Sequence, residues 1–492
     1  MPEIAGRWPM TSPRHAALNG VLAGAVAIFL GLLAVNRFGP DYAKGDTLIQ
    51  SVISLQHVTL FYWGQNRFAN LVPALLSPVT SPSLNAFLLM WVYSAAFFGL
   101  IAILAFGVSK RLMPATTWGD CWLCFVLLCA LSLWCLCTPA AAMFTVLCLP
   151  WAISALFFTV AALILFSPGL PWWQTALGYV SLFVALGLNP SLLLVGCATA
   201  IAPMVSTVRL RDRVIFVSVT AVFFIAWTLL SLTAPESNTL YFDLARSSLY
   251  LGLTTSAREI LSAFDLLYVA GAVALCSVLR SIGTPSALVA RVAGFLLGGA
   301  FIWWLIFAAN RWVEENAYGV RYFSIVLLVV LSVLAYLLVD LLVAMSSPTK
   351  LAATGACAIL TIIPLLRPLV DWRDYRDIKQ ARAFVDVAEH NDIHFIAGSY
   401  RTDIWATVLL LMDDGYEAFG LADRAEGNGE KLTAAIARDI SQGHAPRALC
   451  LEATAICIAT ASRLTSMAWT ASSERCEAPG CTIIRAADVG SK

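Results

Sequence analysis

Apolar stretches long enough to cross a bilayer recur along the first three quarters of the chain. A membrane-spanning helix needs about 20 predominantly apolar residues, and the hydrophobic pattern predicts about eleven such helices. They lie near residues 16–35, 84–107, 120–138, 142–166, 173–188, 191–207, 214–233, 266–281, 292–309, 323–345 and 351–369. Only Asn189-Pro190 separates the short stretches 173–188 and 191–207, which fits either two spans or a re-entrant pair.

The remaining residues, 371–492, have a different periodicity. Helical and strand-like patterns alternate along them, which predicts a small α/β domain. The helices are expected at 376–392, 402–414 and 430–441, and the strands at 393–397, 416–421 and 447–451. The sequence therefore predicts an α-helical polytopic membrane body over residues 1–370 and a C-terminal α/β domain over residues 371–492.

Composition and charge agree with this division. Of the 492 residues, 60% are hydrophobic and 12% charged, with a mean hydropathy of +0.79, which excludes an ordinary soluble enzyme. The body carries a net charge of +6 and the C-terminal domain a net charge of −5. Neither segment has the strongly basic character of a nucleic-acid-binding protein, so no nucleic-acid partner is expected.

Basic residues in the short loops predict how the chain crosses the membrane. The densest cluster, Arg209, Arg211 and Arg213, marks a cytoplasmic loop and places the N-terminus in the cytoplasm. An odd number of spans then puts the C-terminal domain on the periplasmic side of a bacterial inner membrane. That compartment allows disulfides, and two local ones are expected among the cysteines of this domain, with the pairing left open. These cysteines are Cys450, Cys457, Cys476 and Cys481.

Polar residues concentrate in the first predicted outer loop, residues 36–83. Asp46 precedes a stretch, 47–57, in which apolar residues follow one helical face and polar residues another. This pattern is typical of a helix lying in the membrane interface. Asp46 opens the helix as a candidate N-cap, whereas Asp41 follows Gly39-Pro40 and has the character of a turn residue.

Two further outer segments combine arginine with aromatic residues. The first contains Tyr62, Gln65, Asn66 and Arg67, and the second, residues 310–322, contains Arg311, Arg321 and Tyr322. The planar fork of an arginine can bind two oxygens of a phosphate at once, which makes these arginines candidate phosphate ligands. Aromatic anchors at the membrane interface, accompanied by snorkelling arginines, would give the same pattern.

Several classes of function have no support in the sequence. It contains no nucleotide-binding glycine motif, no serine-hydrolase elbow, no metalloprotease motif and no zinc-ligand spacing. Asp340 is the one carboxylate well inside a predicted span, whereas ion-coupled transporters usually carry several ionisable groups there. No cofactor is predicted. No cluster of metal ligands is visible, so the sequence does not support a divalent metal, and dependence on one is left open.

The order of these features resembles the GT-C superfamily of membrane glycosyltransferases, particularly bacterial members that use a polyprenyl-phosphate-linked sugar. Such proteins have an acidic residue in the first outer loop, many spans, a late Arg-Tyr pair beside a span and often an outer C-terminal domain. The matching features here are Asp46 or Asp41, the segments Tyr62–Arg67 and Leu71–Pro73, Arg321-Tyr322 and the α/β domain. Many members have adjacent acidic residues in that loop. Here the two aspartates are five positions apart, so the identity of the base stays open.

The resemblance implies transfer of a sugar from a polyprenyl-phosphate donor to a glycan, glycolipid or protein at the outer face of the membrane. Asp46, or else Asp41, would act as the base, and Arg321, supported by Arg67 or Arg311, would stabilise the leaving phosphate. Other substrate-binding candidates are Tyr62, Gln65, Asn66 and Tyr322. The alternative is a flippase or polymerase of lipid-linked glycans, although neither a large central outer loop nor a charged central cavity is evident.

Overall fold

The computed structural model describes most of the chain. The described ranges are 13–63, 69–113, 116–167, 169–206, 208–232, 249–282, 285–343, 345–399, 402–422, 428–474, 476 and 478–487.

Within these ranges, the body consists of helices and their connections, with two isolated β-bridges, Phe61–Ala69 and Leu136–Phe264. Its helices are α1 (Pro13–Tyr42), α2 (Gly45–Gln56), α3 (Leu71–Leu76), α4 (Pro82–Ile103), α5 (Ser109–Leu112), α6 (Trp118–Trp134), α7 (Thr138–Thr145), α8 (Trp151–Leu165), α9 (Trp172–Leu188), α10 (Leu192–Ile201), α11 (Leu210–Leu232), α12 (Leu249–Ala263), α13 (Leu266–Ile282), α14 (Ala287–Ala308), α15 (Arg311–Glu315), α16 (Ser324–Val343) and α17 (Ser347–Ile362). Among the described residues, six helical segments are long and apolar enough to cross a membrane, and five shorter helices are also apolar. Each of the eleven predicted stretches therefore coincides with an apolar helix, which confirms the polytopic helical class.

The sequence pattern predicted one continuous helix over 142–166. The structure instead divides this stretch into two helices, α7 and α8. The chain breaks between α7 and α8, where Cys148 has a left-handed backbone with φ of 51°. Pro150 follows, and it both lacks an N–H donor and disfavours a helical conformation at Leu149. The break brings polar backbone groups of residues 146–148 against α2, and this contact helps to form the candidate site described below.

The helix predicted at the membrane interface exists as α2, but its surroundings differ from those expected. Leu48, Ile49, Val52 and Ile53 are completely buried, and most of the polar residues between them are buried too. The helix is enclosed because α4 packs against it from one side and a helix of the C-terminal domain from another. A single apolar stripe in the sequence therefore did not reveal that both faces of α2 are covered.

The C-terminal domain is a five-stranded mixed sheet with helices. Its elements are α18 (Arg376–His390), β1 (Phe395–Ala397), α19 (Thr402–Asp413), β2 (Phe419–Leu421), α20 (Gly429–Ser441), β3 (Arg447–Cys450), α21 (Thr454–Thr465), β4 (Trp469–Ala471) and β5 (Thr482–Ala486). The strand order is β2-β1-β3-β5-β4. The first three strands are parallel, and β5 is antiparallel to both β3 and β4. The predicted α/β alternation is confirmed, while α21 and the two antiparallel strands were missed.

The four cysteines of this domain form two local disulfides. Cys450 at the end of β3 is bonded to Cys457 in α21, and Cys476 is bonded to Cys481 before β5. The expectation of two local bridges is met, and the structure supplies the pairing that the sequence left open. Each bridge joins positions fewer than ten residues apart, so both constrain short local segments, and the Cys450–Cys457 bridge is buried in the core of the domain.

Candidate active site

The candidate site is built around an ion pair between two segments that are distant in sequence. Asp46 lies in the first turn of α2, and Arg321 lies in the short 3₁₀ segment Val320–Phe323 that leads into α16. Nη1 of Arg321 is 3.2 Å from Oδ2 of Asp46. The hydroxyl of Tyr62 reaches Oδ1 of the same carboxylate at 3.5 Å. Sequence reasoning named all three residues, and the structure brings them together.

Asp46 is not the N-cap that the sequence suggested. The helix begins at Gly45, and Lys44 occupies the N-cap position in an extended conformation. Asp46 therefore lies inside the first turn, where its negative charge is favoured by the positive end of the helix dipole. Its carboxylate remains available to groups outside the helix and is 24% exposed.

The guanidinium of Arg321 is held from several directions. Its second nitrogen, Nη2, donates to Oδ1 of Asn316 at 2.9 Å, and its carbon Cζ lies 5.1 Å from the centre of the Tyr322 ring. The turn between Asn316 and Arg321 contains Ala317 and Tyr318, both with a φ of 53°. Two consecutive left-handed residues other than glycine are unusual, and such strain concentrates at functional sites.

A cavity adjoins this ion pair, with about 680 Å³ of empty space that includes open solvent at its mouth. Aromatic side chains form much of its wall, and polar groups cluster near Asp46. Its lining residues are Asp46, Gln50, Tyr62, Ala69, Asn70, Pro73, Tyr93, Cys148, Leu149, Pro150, Trp151, Trp312, Arg321 and Tyr322. Apolar walls with a few convergent polar groups are typical of a ligand site.

A buried hydrogen-bond network fixes the polar face of α2 beneath the cavity. Thr47 donates to the carbonyl of Val146 at 2.8 Å, and the Gln50 amide donates to the carbonyl of Cys148 at 2.6 Å. The Tyr93 hydroxyl donates to Oε1 of Gln50 at 3.0 Å. Polar residues on one face of α2 and in the otherwise apolar α4 were the sequence signals for this network, because buried polar groups require partners.

The thiol of Cys148 belongs to the wall of this cavity but is buried. Its side chain is 1% exposed, and its backbone carbonyl is occupied by Gln50. Burial, with a smaller contribution from the Asp46 carboxylate, raises the pKa of this thiol well above its usual value. Because the thiolate is the reactive form, this shift disfavours Cys148 as a nucleophile.

A second, more open cavity, with about 790 Å³ of empty space that includes open solvent, also adjoins the ion pair. The body contributes Lys44, Gly45, Asp46, Leu147 and Arg321 to its lining, and the C-terminal domain contributes Thr402 and Asp403. Asp46 and Arg321 are the two residues that line both cavities. The ion pair therefore borders two spaces, one lined by the body alone and one shared with the C-terminal domain.

The other residues named from the sequence lie elsewhere. Oδ2 of Asp41 is 2.6 Å from Nη1 of Arg367, so Asp41 joins the end of α1 to the segment after α17. Arg311 pairs with Glu315 one turn along α15, and both side chains are more than half exposed. Gln65, Asn66 and Arg67 fall in the gap 64–68 and lie outside the described residues.

The described side chains do not form a metal-binding cluster. Among the described residues, no group of three or more histidine, cysteine, aspartate or glutamate side chains is arranged to hold a metal ion.

Known proteins provide a comparison at the level of fold. No protein-family model matches this sequence, and no curated protein is significantly similar to it. Two crystal structures are similar, both of ArnT from Cupriavidus metallidurans. The complex with undecaprenyl phosphate has a TM-score of 0.52 and 12% sequence identity, and the apo state has a TM-score of 0.53 and 13% identity. Each comparison covers 96% of this chain and 98% of ArnT. The chain therefore has the overall fold of ArnT, a GT-C glycosyltransferase, and the fold that the sequence resemblance implied is confirmed.

Proposed function

We propose that this protein is a glycosyltransferase that moves a sugar from a polyprenyl-phosphate donor to a glycan, glycolipid or protein acceptor. The observation that carries the proposal is the Asp46–Arg321 pair, which lines two cavities on a fold shared with ArnT. A general base and a phosphate-binding cation are the two groups that this reaction needs. The fold alone would not assign an activity, so the argument rests on the site.

The proposed step is a single displacement at the anomeric carbon. Asp46 accepts the proton of an acceptor hydroxyl as the acceptor oxygen forms a bond to C1 of the sugar. The bond between C1 and the phosphate oxygen breaks, and its electron pair leaves with the polyprenyl phosphate. Arg321 stabilises the charge that develops on this phosphate. A displacement of this kind inverts the configuration at C1.

The two cavities suggest where the substrates bind. We assign the donor to the 680 Å³ cavity, because its aromatic walls, including Trp151, Trp312 and Tyr322, suit a sugar and the first units of an isoprenoid chain. The acceptor would enter through the cavity shared with the C-terminal domain. Asp46 and Arg321 would then meet both substrates, since they line both spaces.

The same proposal includes the cellular location. The apolar helices and the ArnT-like fold support a multi-pass protein of the bacterial inner membrane. The cytoplasmic N-terminus and the periplasmic C-terminal domain remain predictions from the basic loops. In that orientation, sugar transfer would take place at the outer face of the membrane.

Sugar analysis of cells provides the test. We would compare by mass spectrometry the surface glycans and lipid-linked sugars of a deletion strain complemented with the wild type, Asp46→Asn or Asp41→Asn. The wild type should restore a sugar that the deletion lacks and remove an accumulated polyprenyl-monophosphate sugar. Asp46→Asn should restore neither despite normal insertion, whereas Asp41→Asn should restore both, because Asp41 is paired with Arg367 away from the cavities.

Other outcomes would change the conclusion. Full activity of Asp46→Asn would remove this residue from the mechanism. Accumulation of polyprenyl-diphosphate oligosaccharides, with shortened or missing chains, would indicate a polymerase or a flippase instead of a transferase.

A further inference from the structure

Both ends of α2, the helix that carries Asp46, are held by the C-terminal domain. We infer that this domain positions the candidate base and that Thr402 is the positioning residue at the end where Asp46 lies. This inference rests on the proposed function, because it concerns the geometry of the proposed reaction. It goes further by giving the C-terminal domain a role in catalysis.

The N-terminal end of α2 lacks a cap from its own flanking residue. The first four N–H groups of a helix have no partner within it, and a serine, threonine, asparagine or aspartate at the N-cap usually accepts from one of them. Here the N-cap is Lys44, whose ammonium cannot accept, and no side-chain cap bond forms. Instead, the N–H of Gly45 donates to the hydroxyl of Thr402 at 3.3 Å, across 357 residues of sequence.

The C-terminal end of α2 is held in a comparable way. The ammonium of Lys431 donates to the backbone carbonyl of Gln56, the last residue of the helix. A cation is favoured at this negative end of the helix dipole. The Gln56 side chain accepts from the amide of Asn428 at 2.7 Å and donates to the carbonyl of Ala418 at 2.6 Å.

Between the two ends, α19 packs along α2. Thr402 is the first residue of α19, and the buried residues Trp405 and Leu409 follow on the same helix. Thr402 and its neighbour Asp403 also line the cavity that reaches Asp46. Asp46 is one residue after Gly45, so a displacement of the first turn would move its carboxylate directly. Small displacements of a reacting group can reduce a rate strongly.

The test compares Thr402→Ala with Thr402→Ser, which keeps the hydroxyl. Thr433→Ala is the matched control, because the exposed Thr433 hydroxyl bonds to its own helix at Gly429. In the deletion strain, we would measure the initial rate of sugar modification after induction, per amount of inserted protein. Binding of undecaprenyl phosphate to the purified full-length protein would be measured by native mass spectrometry.

We expect Thr402→Ala to slow transfer about fivefold to tenfold, as the loss of a helix cap at a reacting group would. Its affinity for undecaprenyl phosphate should stay within about twofold, because the donor cavity is lined by the body. Thr402→Ser and Thr433→Ala should transfer at close to the wild-type rate. Hydrogen exchange of the peptide that covers residues 45–48 should rise in Thr402→Ala alone.

A second substitution, at Lys44, makes the test specific to helix capping. Lys44→Ser would place a normal capping side chain at a position whose backbone is already extended, as an N-cap requires. The cost of Thr402→Ala should therefore shrink to less than about twofold when it is measured within the Lys44→Ser background. This comparison cancels any separate effect of removing Lys44 from the cavity.

The outcomes separate this inference from the proposed function. A wild-type rate in Thr402→Ala, an equal loss in Thr402→Ser, or an undiminished cost in the Lys44→Ser background would each overturn the positioning role. A parallel loss of transfer and lipid binding would indicate general unfolding and also overturn it. If the wild-type protein itself restores no sugar, the proposed function fails. Unchanged hydrogen exchange at residues 45–48 in Thr402→Ala would then independently reject the positioning role of Thr402.

Discussion

Asp46 and Arg321 are separated by 275 positions in sequence and meet as a partly exposed pair, with 24% and 35% of their side chains accessible. An ion pair with this exposure contributes at most about 1 kcal/mol to folding. Such a small contribution to stability does not explain why this ion pair lies at a strained turn beside two cavities. A phosphate that binds Arg321 would compete with Asp46 for the guanidinium, so donor binding and release of the carboxylate would be coupled.

Replacing Arg321 by lysine tests the role of its planar fork. The charge is retained, but an ammonium cannot hold Asp46 and Asn316 through two nitrogens of one plane. We expect undecaprenyl phosphate affinity to fall about tenfold and sugar transfer to fall about tenfold or more. The matched control is Arg438→Lys, which alters an exposed two-nitrogen pair with Glu417 in the C-terminal domain. Equal affinity of Arg321→Lys and wild type would exclude phosphate binding by this fork.

The sequence located part of the candidate site and missed the rest for a physical reason. Asp46 and Arg321 were recognisable because charged residues beside apolar spans are few, and each has a defined chemistry. Gln50, Tyr93 and Thr402 were not recognisable, because their roles depend on how α2 packs against α4 and α19. Such long-range contacts leave no local periodicity. The positions of the helices, in contrast, followed from composition, which the bilayer constrains strongly.

The close contact between α1 and α4 depends on a small residue. A side-chain carbon added at Gly31 would lie 2.7 Å from the backbone nitrogen and 2.9 Å from the Cα of Ala95. Both atoms belong to the backbone and cannot rotate away. Small residues allow membrane helices to approach this closely. The pattern of apolar residues predicted both helices but could not show which of their glycines lies at the contact.

Two glycines of the same helix provide a controlled experiment on this packing. Gly31→Ala should separate α1 from α4 and destabilise the protein by about 1–3 kcal/mol. Gly24→Ala should be neutral or stabilising by up to about 1 kcal/mol, because no atom lies within 4 Å of the added carbon and alanine favours a helix. Thermal unfolding in detergent, followed by fluorescence, measures both. A lower Tm for Gly24→Ala, or an unchanged one for Gly31→Ala, would contradict this account of the contact.

The proposed orientation of the chain in the membrane accounts for the distribution of its disulfides. The four bonded cysteines all lie in the C-terminal domain, whereas the nine free cysteines lie between Cys121 and Cys357 in the body. Disulfides persist in the periplasm and are rare in the cytoplasm. A C-terminal domain in the periplasm therefore accounts for the distribution of the bonds. It also places the cavity shared by Asp46 and Asp403 on the same side, where an outer-face acceptor would arrive.

Single added cysteines can test this orientation directly. Ala437 is exposed on α20 of the C-terminal domain, and Ser281 is exposed near the end of α13, beside a predicted cytoplasmic loop. In intact spheroplasts, a membrane-impermeant maleimide should label Ala437→Cys but not Ser281→Cys, above the background of the parent protein. Both should react after permeabilisation.

The reverse pattern would place the C-terminal domain in the cytoplasm. Asp46 and Arg321 contact the cavity that this domain helps to form, so the proposed reaction would then also have to occur on the cytoplasmic side.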